Sequence, residues 1–476
     1  MRMGGAQAMT GWLGAGPDAC VRRVETCAGA IRRHDGRLRA FITPTIESAL
    51  DEAHAADKAA GRGDVLGLLH GTIVALKDNI ELAGVRCTAG SAFFADHVPN
   101  RDAPVTARLR RAGAVLIGKT NLHEFAYGGT SQNERYGRCR NVWDDARLPG
   151  GSSGGSGVAV AAGMCEVALG TDTGGSIRMP AALNGICGLR PSAGAVPNRG
   201  SFPVSPPYDT IGPMARRVFD VARIYAAIAG PDAGDPTSAL DTPPDVLGRL
   251  ADGIDGVRIL MPTRFFGSEA DADVAAAVRQ ATEVLVGLGA RAEEGDLPGA
   301  EAAQAHLMPI IYADAAAYHR ERLEREPGRF GRDVRARLQP GLELRAIDYA
   351  RSLRWLEGWR RQVEQSFKAR CDLVLTPTMP CTAPPIEPDH DVIAVSTRLS
   401  RFTWLWPAAG VPALSVPCGF DAHGLPIGMQ LAGPRWSEPL LLRAGHAYQS
   451  VTDWHLRRPA LGDLDESQAR SSEGRR

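Results

Sequence analysis

The chain is short of lysine. Of its 54 cationic residues only four are lysine (Lys58, Lys77, Lys119 and Lys368), and the other 50 are arginine. Arginine keeps its charge in any protein environment, whereas lysine gives up its proton when withdrawn from water. Each lysine therefore needs its own account. Lys58 and Lys368 lie in polar helical stretches, EAHAADKAA and QSFKARCD, and read as surface residues. Net charge is lacking too. The 54 acidic residues balance the 54 basic ones, which gives no sign of a nucleic-acid or membrane partner. No run approaches the ~20 apolar residues that a membrane helix needs. The opening MRMGGAQAMTGWLGAG holds no apolar stretch of signal-peptide length.

Cysteine pairs are also missing. The nine cysteines are odd in number and widely spaced, with no C-x-x-C. That argues against a disulfide framework or a zinc site and for a reducing compartment. A cytoplasmic protein with no metal and no cofactor is expected. Hydrophobic content of 44% is ordinary for a globular chain, and 476 residues can build a large core unaided.

Glycine, by contrast, is concentrated where it matters. Residues 150–178 read G-G-S-S-G-G-S-G-V-A-V-A-A-G-M-C-E-V-A-L-G-T-D-T-G-G-S-I-R. Two glycine-rich turns flank an apolar run, with Ser152 in the first and Ser176 in the second, 24 residues apart. Such turns bring backbone close to a ligand and aim amide N–H groups at it. In isolation the first turn also fits a flexible linker. Its setting between WDDARLPG and VAVAAGM argues against that, because linkers sit in polar sequence.

Periodicity predicts helices over 19–33, 44–60, 104–112, 158–162 and 274–288, and mostly helix over 300–370. Strands are predicted at 72–76, ending at Lys77, and at 114–117, 167–169, 257–261, 372–376, 413–417 and 427–432, the last three closing the sheet. Residues 231–256 are dense in Pro, Gly and Asp and read as an exposed connection. A last helix is expected after Ser437 as N-cap, with Pro439 in its first turn.

Residues 113–120, G-A-V-L-I-G-K-T, satisfy the phosphate-loop pattern. The four variable residues would have to form a loop, and Ala-Val-Leu-Ile is a buried strand preceded by a helix. A nucleotide site is rejected, and Lys119 reads as structural.

A serine nucleophile needs a base. Neither His70 nor His123 sits in a triad motif, and there is no G-x-S-x-G elbow. His123 reads as structural. A lysine kept neutral by burial is the better base, and the apolar approach Ile-Val-Ala-Leu points to Lys77.

These residues carry a resemblance to the amidase signature family. The matching pieces are GTIVALKDNI (71–80), AGAVLIGKTN (112–121), PGGSSGGS (149–156), GTDTGGSIRMPA (170–181), DTIGPMAR (209–216) and GLPIGMQLAG (424–433). The resemblance spans about residues 18–460. It implies an α/β fold with a mixed, largely parallel central sheet flanked by helices on both faces. It further implies a single domain over 18–461 with a mostly helical insertion at about 300–370, a flexible N-terminus (1–17) and a disordered tail (462–476). By this resemblance Ser176 is the nucleophile, Ser152 a relay serine preceded by a cis peptide bond, and Lys77 the base. Backbone N–H groups of Thr173, Gly174, Gly175 and Ser176 would form the oxyanion hole. Tyr127, Gly128 and Gly129 would line the acyl side of the pocket. Asp172 and Arg178 are read as an ion pair holding the nucleophile turn. Phe402, Trp404 and Trp406 alternate and are either core or an aromatic wall at the pocket mouth.

The activity so implied is hydrolysis of small carboxamides, with aryl amides and carbamates (a urethanase activity) included. The alternative is the glutaminase subunit of a tRNA-dependent amidotransferase. The middle region, YHRERLEREPGRFGRDVRARLQPGLELRAIDYARSLRW, resembles free-standing amidases more, and no basic tRNA-facing surface shows. The expectation is therefore a free-standing amidase, with a homodimer left open, a small-molecule substrate and no nucleic-acid or membrane partner.

Overall fold

The computed structural model describes residues 18–387 and 391–462. The flexible N-terminus expected over 1–17, and the expected tail from 463 on, lie outside the described residues. A mixed sheet runs through the molecule. Its strands are β1 (Phe41–Pro44), β2 (Ile73–Lys77), β3 (Val115–Thr120), β6 (Val167–Asp172), β7 (Cys187–Arg190), β8 (Thr210–Ala215), β9 (Arg258–Pro262), β10 (Arg291–Gly295), β11 (Leu373–Pro377), β12 (Ala413–Phe420) and β13 (Pro426–Ala432). The order across it is β1-β3-β2-β6-β8-β7-β12-β13-β11-β9-β10. β4 (Gln132–Asn133) and β5 (Gly137–Arg138) form a separate hairpin ladder.

The α/β class and the mixed sheet are as expected. The parallel ladders sit in two groups, β3-β2-β6 and β11-β9-β10, and the six ladders elsewhere are antiparallel. The three late strands do not close the sheet, because β1 and β10 are its edges. β10, RAEEG, carries its glutamates on a half-covered edge and lacks the apolar run that marks a buried strand.

Alternation along β2 explains the placement of Lys77. Val74 and Leu76 join the core beneath the helices Pro104–Arg111, Val218–Ile228, Ala272–Gly287 and Glu438–Ser450. Ile73 and Ala75 join the opposite core, with the helices Ala19–Leu38, Ile46–Gly61 and Gly154–Ala161. Successive side chains on a strand point to opposite faces. Lys77 therefore continues the row of Ile73 and Ala75, toward the layer that holds the Gly154–Ala161 helix.

That helix, GGSGVAVA, has poor intrinsic propensity and is buried along its whole length, so tertiary packing holds it. Glycine is required at Gly155. A Cβ there would come 2.4 Å from the carbonyl oxygens of Ala40 and Asn121. The helices Ala303–Arg325, Arg332–Glu343 and Ala346–Ala369 fill most of the 300–370 region and pack on one another and on Leu260 and Val374 of the sheet. The 231–256 segment has no helix or strand, yet Val246, Leu250 and Ile254 enter the core, so it is not simply an exposed connection. Ser437 stands at the start of the last helix, but its hydroxyl makes no capping bond.

Gly155→Ala should lower stability by about 1–3 kcal/mol, because backbone oxygens cannot move aside as side-chain ends do. Thermal unfolding of the variant checks this, and an unchanged midpoint would contradict the close approach.

Candidate active site

Two strand ends and two turns converge at one point. β2 delivers Lys77, and β6 runs into the turn from Thr173 to Ile177. The Gly150–Ser153 turn leads into the Gly154–Ala161 helix, and the Gly151–Ser152 peptide is cis. Lys77 Nζ lies 2.7 Å from Ser152 Oγ and 2.7 Å from Thr171 Oγ1. The Ser153 amide donates to the Ser176 carbonyl at 3.2 Å, and the Ser153 hydroxyl donates to the Thr171 carbonyl at 3.2 Å. These bonds tie the first turn to the second. Lys77 and Ser152 are fully buried, whereas Ser176 keeps 9% exposure, so of the three it is the one that open space reaches.

The two buried lysines have opposite fates. Withdrawal from water drives the Lys77 pKa far below its usual value, and Asp172 and Asp209 only partly oppose this. No carboxylate lies within ion-pair distance of Lys77 among the described residues. Burial also penalises the charge of Lys119, but Asp78, 2.8 Å away, and Cys87 together outweigh that and hold the ammonium charged. Lys77 is thus poised as a neutral amine, while Lys119 is a structural cation on β3.

Asp172 organises the second turn. Its Oδ1 accepts the Gly175 amide at 2.8 Å, and its Oδ2 accepts the Ile177 amide at 3.2 Å. Arg178 donates to both oxygens at 3.0 Å, and Arg190 adds a contact to Oδ1 at 3.3 Å. All three side chains are fully buried. Burial alone would raise the Asp172 pKa, but Arg178 and Arg190 reverse this and hold it at about 2. Gly175 sits at φ 135, and a Cβ there would lie 2.1 Å from Thr403 Oγ1. The Thr403 hydroxyl in turn donates to the Gly174 carbonyl at 2.5 Å. The turn is therefore fixed from within by a carboxylate and from outside by a threonine.

The Tyr127-Gly128-Gly129 segment packs against the insertion. Tyr127 is buried, and its hydroxyl donates to the Arg337 carbonyl at 3.3 Å. A Cβ on Gly128 would overlap the His123 ring, and the Gly129 amide donates to Ser396 Oγ at 3.1 Å. His123 itself is 2.6 Å from Asp333 of the insertion. Phe402 and Trp406 are core, whereas Trp404 is half-buried with its ring against Gly174. A cavity of about 380 Å³ is lined by residues including Thr130, Gln132, Asp333 and Val392, and neither Lys77, Ser152 nor Ser176 borders it.

Sequence reasoning missed Thr171, Asn79, Arg190, Thr403, Asp209 and Arg337. Asn79 donates to Thr171 Oγ1 at 3.3 Å, beside the lysine two positions earlier in K-D-N. Thr171 stands one residue before Asp172. Both had a local signal in their nearness to motif residues, whereas Arg337 and Thr403 reach the site only through the fold.

Replacing Asp172 with Asn should leave two buried guanidinium groups without their anion and cost about 3–5 kcal/mol at neutral pH. The ion pair's contribution is present above the unfolded carboxyl value near pH 4 and is lost as pH falls through about 2. Urea unfolding should therefore show a gap between parent and variant that narrows from pH 4 to pH 2, and a constant gap would contradict the network.

Residues 22–442 match the family described as Amidase. A glutamyl-tRNA(Gln) amidotransferase subunit of Moorella thermoacetica is 41% identical over 90% of this chain and 92% of its own. A solved structure described as an unexpected vestigial protein complex, revealing the evolutionary origins of an s-triazine catabolic enzyme, superposes with a TM-score of 0.88. It shares 34% identity over 94% of this chain and 98% of its own. The glutamyl-tRNA(Gln) amidotransferase subunit solved from Thermotoga maritima gives a TM-score of 0.77 at 30% identity, over 91% of this chain and 92% of its own.

These likenesses correct two expectations. The chain does not group with free-standing amidases in preference to amidotransferase subunits, since relatives at this identity are named as subunits. The expectation of no nucleic-acid partner also falls, because those relatives are named for a tRNA. Both expectations leaned on whole-chain charge and on the look of the middle region. A net charge averages over the surface and says nothing about the face that a partner covers. The family match along most of the chain and the shared scaffold carry the coarser conclusion: this chain is an enzyme acting on amides and belongs to the amidase family.

Proposed function

We propose that this chain is the glutaminase-type subunit of a tRNA-dependent amidotransferase, releasing ammonia from a carboxamide donor by way of a serine ester. The observation that carries this reading is the 41% identity, along nine-tenths of the chain, to proteins named as that subunit. Residues 18–461 act in this reading as one domain, in the cytoplasm, where the nine buried free thiols stay reduced.

The site geometry supports the chemistry. A neutral Lys77 has two N–H donors and one lone pair. Thr171 Oγ1 takes one N–H, which leaves the lone pair for the Ser152 hydroxyl 2.7 Å away. Ser152 then accepts the proton of Ser176 as it passes its own to Lys77. Ser176 Oγ bonds to the amide carbon, and the developing oxyanion meets the backbone N–H groups of Thr173, Gly174 and Ser176, the Gly175 N–H expected there being taken by Asp172. The relay runs in reverse to protonate the departing nitrogen, and the C–N bond breaks. Water, deprotonated through the same relay, attacks the ester, releases the acid and restores Ser176. Asp172 and Arg178 hold the turn rather than the substrate, since both are fully buried and occupied by each other.

Arg337 narrows the donor. Its guanidinium is 6% exposed and reaches the Val392 carbonyl and Ser396 Oγ at 3.1 and 2.8 Å. Its Nε has no partner, and no carboxylate lies within ion-pair distance of it among the described residues. Ser396 also holds the Gly129 amide, so this cation, whose charge acts on Asp333 one turn back only from beyond ion-pair distance, stands beside the expected acyl side. A buried unpaired charge is costly, and a carboxylate on the amide substrate, as glutamine has, would neutralise it.

One observation favours a second reading. The superposition is better on the protein of the s-triazine study than on the amidotransferase subunit of Thermotoga maritima. In that reading the chain hydrolyses a small nitrogen-rich amide, again beside a partner chain.

Ammonia release from glutamine, with and without co-purified partner chains and glutamyl-tRNA, separates the two. Stimulation by both supports the first reading, and turnover of small ureas or linear amides without glutamine turnover overturns it. Ser176→Ala should cut turnover at least about 10³-fold. Lys77→Arg should fail as well, because a guanidinium cannot accept the proton. Near-parental rates in either variant contradict the relay. Arg337→Gln should raise KM about 10–100-fold for a carboxylate-bearing amide and leave an uncharged amide unaffected; equal effects on both would remove Arg337 from substrate recognition.

A further inference from the structure

Asp209 is a carboxylate beside the site that the relay above leaves without a task. Its Oδ1 accepts the Thr173 hydroxyl at 2.6 Å. Its Oδ2 accepts the amides of Val204 and Ser205 at 2.9 and 3.1 Å. Its own carbonyl accepts from Asn198 at 2.9 Å, so the backbone is fixed as well. Asp209 stands immediately before β8, whose Thr210 pairs with Asp172 of β6. Two carboxylates, Asp172 and Asp209, are thereby set side by side.

They are not treated alike. Arg178 and Arg190 both direct their donors at Asp172, while Arg190 reaches the Tyr208 carbonyl and Thr210 on the Asp209 side. No basic side chain lies within ion-pair distance of Asp209 among the described residues. The charged groups around it are Arg190 from β7, which also faces Asp172 of β6, Lys77 from β2, and Asp314 of the Ala303–Arg325 helix, which accepts the Ser205 hydroxyl. With Asp172 and Asp209 ionised, Arg178 and Arg190 balance them, and Lys77 adds no charge only as the free amine.

We propose that Asp209 is a positioning residue: it pins the oxyanion turn through the Thr173 hydroxyl, and the β6–β8 register, which sets Thr171 opposite Ile211, holds its carboxylate beside the strand whose Thr171 accepts from Lys77. The proposal rests on Lys77 being the base of the relay. Burial pushes the Asp209 carboxyl up to about 6, against its hydrogen bonds and Arg190. Above that pH the anion favours a protonated Lys77. Below it Asp209 becomes neutral and that pull is lost, so Lys77 stays an amine further into acid. Asp209 thus buffers the base.

The test is the pH profile of kcat/KM for Asp209→Asn, with thermal unfolding alongside and Ser176→Ala as reference. The Asn side chain keeps the shape and can bond both Thr173 and the amides. Above about pH 6, where Asp209 is ionised in the parent, the acid limb of the variant should lie at lower pH, because an anion near Lys77 is gone; below about pH 6 the two profiles should run together. A merely structural role would lower the rate and leave the limb in place, and that result overturns the coupling. Thr173→Val, which retains the backbone N–H, should lower kcat about tenfold with KM little changed. An unaltered kcat there overturns the pinning, including in the event that Asp209→Asn does not fold. Turnover surviving in Ser176→Ala would instead sink the relay itself, so the two failures are distinguishable.

Discussion

The structure is organised around a lysine that has been buried without a counter-ion. Moving an ammonium out of water is so costly that the group sheds its proton instead. Everything near Lys77 preserves that state. β2 is covered on both faces, the nearest partners are hydroxyls rather than carboxylates, and the two acids within electrostatic reach belong to other groups. Lys119, on the adjacent strand, shows the opposite arrangement. Placing Asp78 against Lys119 leaves Lys77, its neighbour in sequence, unpaired. One carboxylate on one lysine and none on the other makes a charged ammonium and a neutral amine from the same residue type.

The serine turns follow from a second constraint, the anchoring of irregular backbone. A turn that lies outside the ladders of helix and strand has to be held by side chains instead. Asp172 does this from inside with two amide bonds, and it stays ionised because Arg178 and Arg190 surround it. Thr403 and Asp209 hold the turn from the other side. Strained backbone gathers nearby: Phe125, Ala126 and Ser131, none of them glycine, have φ of 54, 58 and 54. Such conformations persist only where surrounding packing enforces them, and they cluster at functional sites.

Much of the site was legible in the sequence because its parts carry local signatures. Lys77 stood out as one of four lysines at the end of an apolar strand. Ser152 and Ser176 stood out because glycine-rich turns beside apolar runs serve no linker. The phosphate-loop pattern at 113–120 was rejected on element order, and residues 115–120 are indeed a strand. The residues that support these were not legible. Asp209, Arg337 and Thr403 lie 33 to 227 positions beyond Ser176 in the chain, without a motif relating them to it. Partner choice was read wrongly, since balanced charge over the whole chain carries no information about one face.

The sequence by itself determined which residue types could do the chemistry, the alternation that sends Lys77 to the layer of the serine turns, and the α/β class. Those are properties of short windows, where periodicity and glycine placement act directly on the backbone. Only the tertiary structure decided the protonation of the lysines, the order of the strands and the residues that hold the turn. Protonation depends on desolvation and on which carboxylate is near, and both are set by segments distant in the chain, 41 positions apart for Asp78 and Lys119. A strand's place in a sheet depends likewise on partners that its own residues do not name.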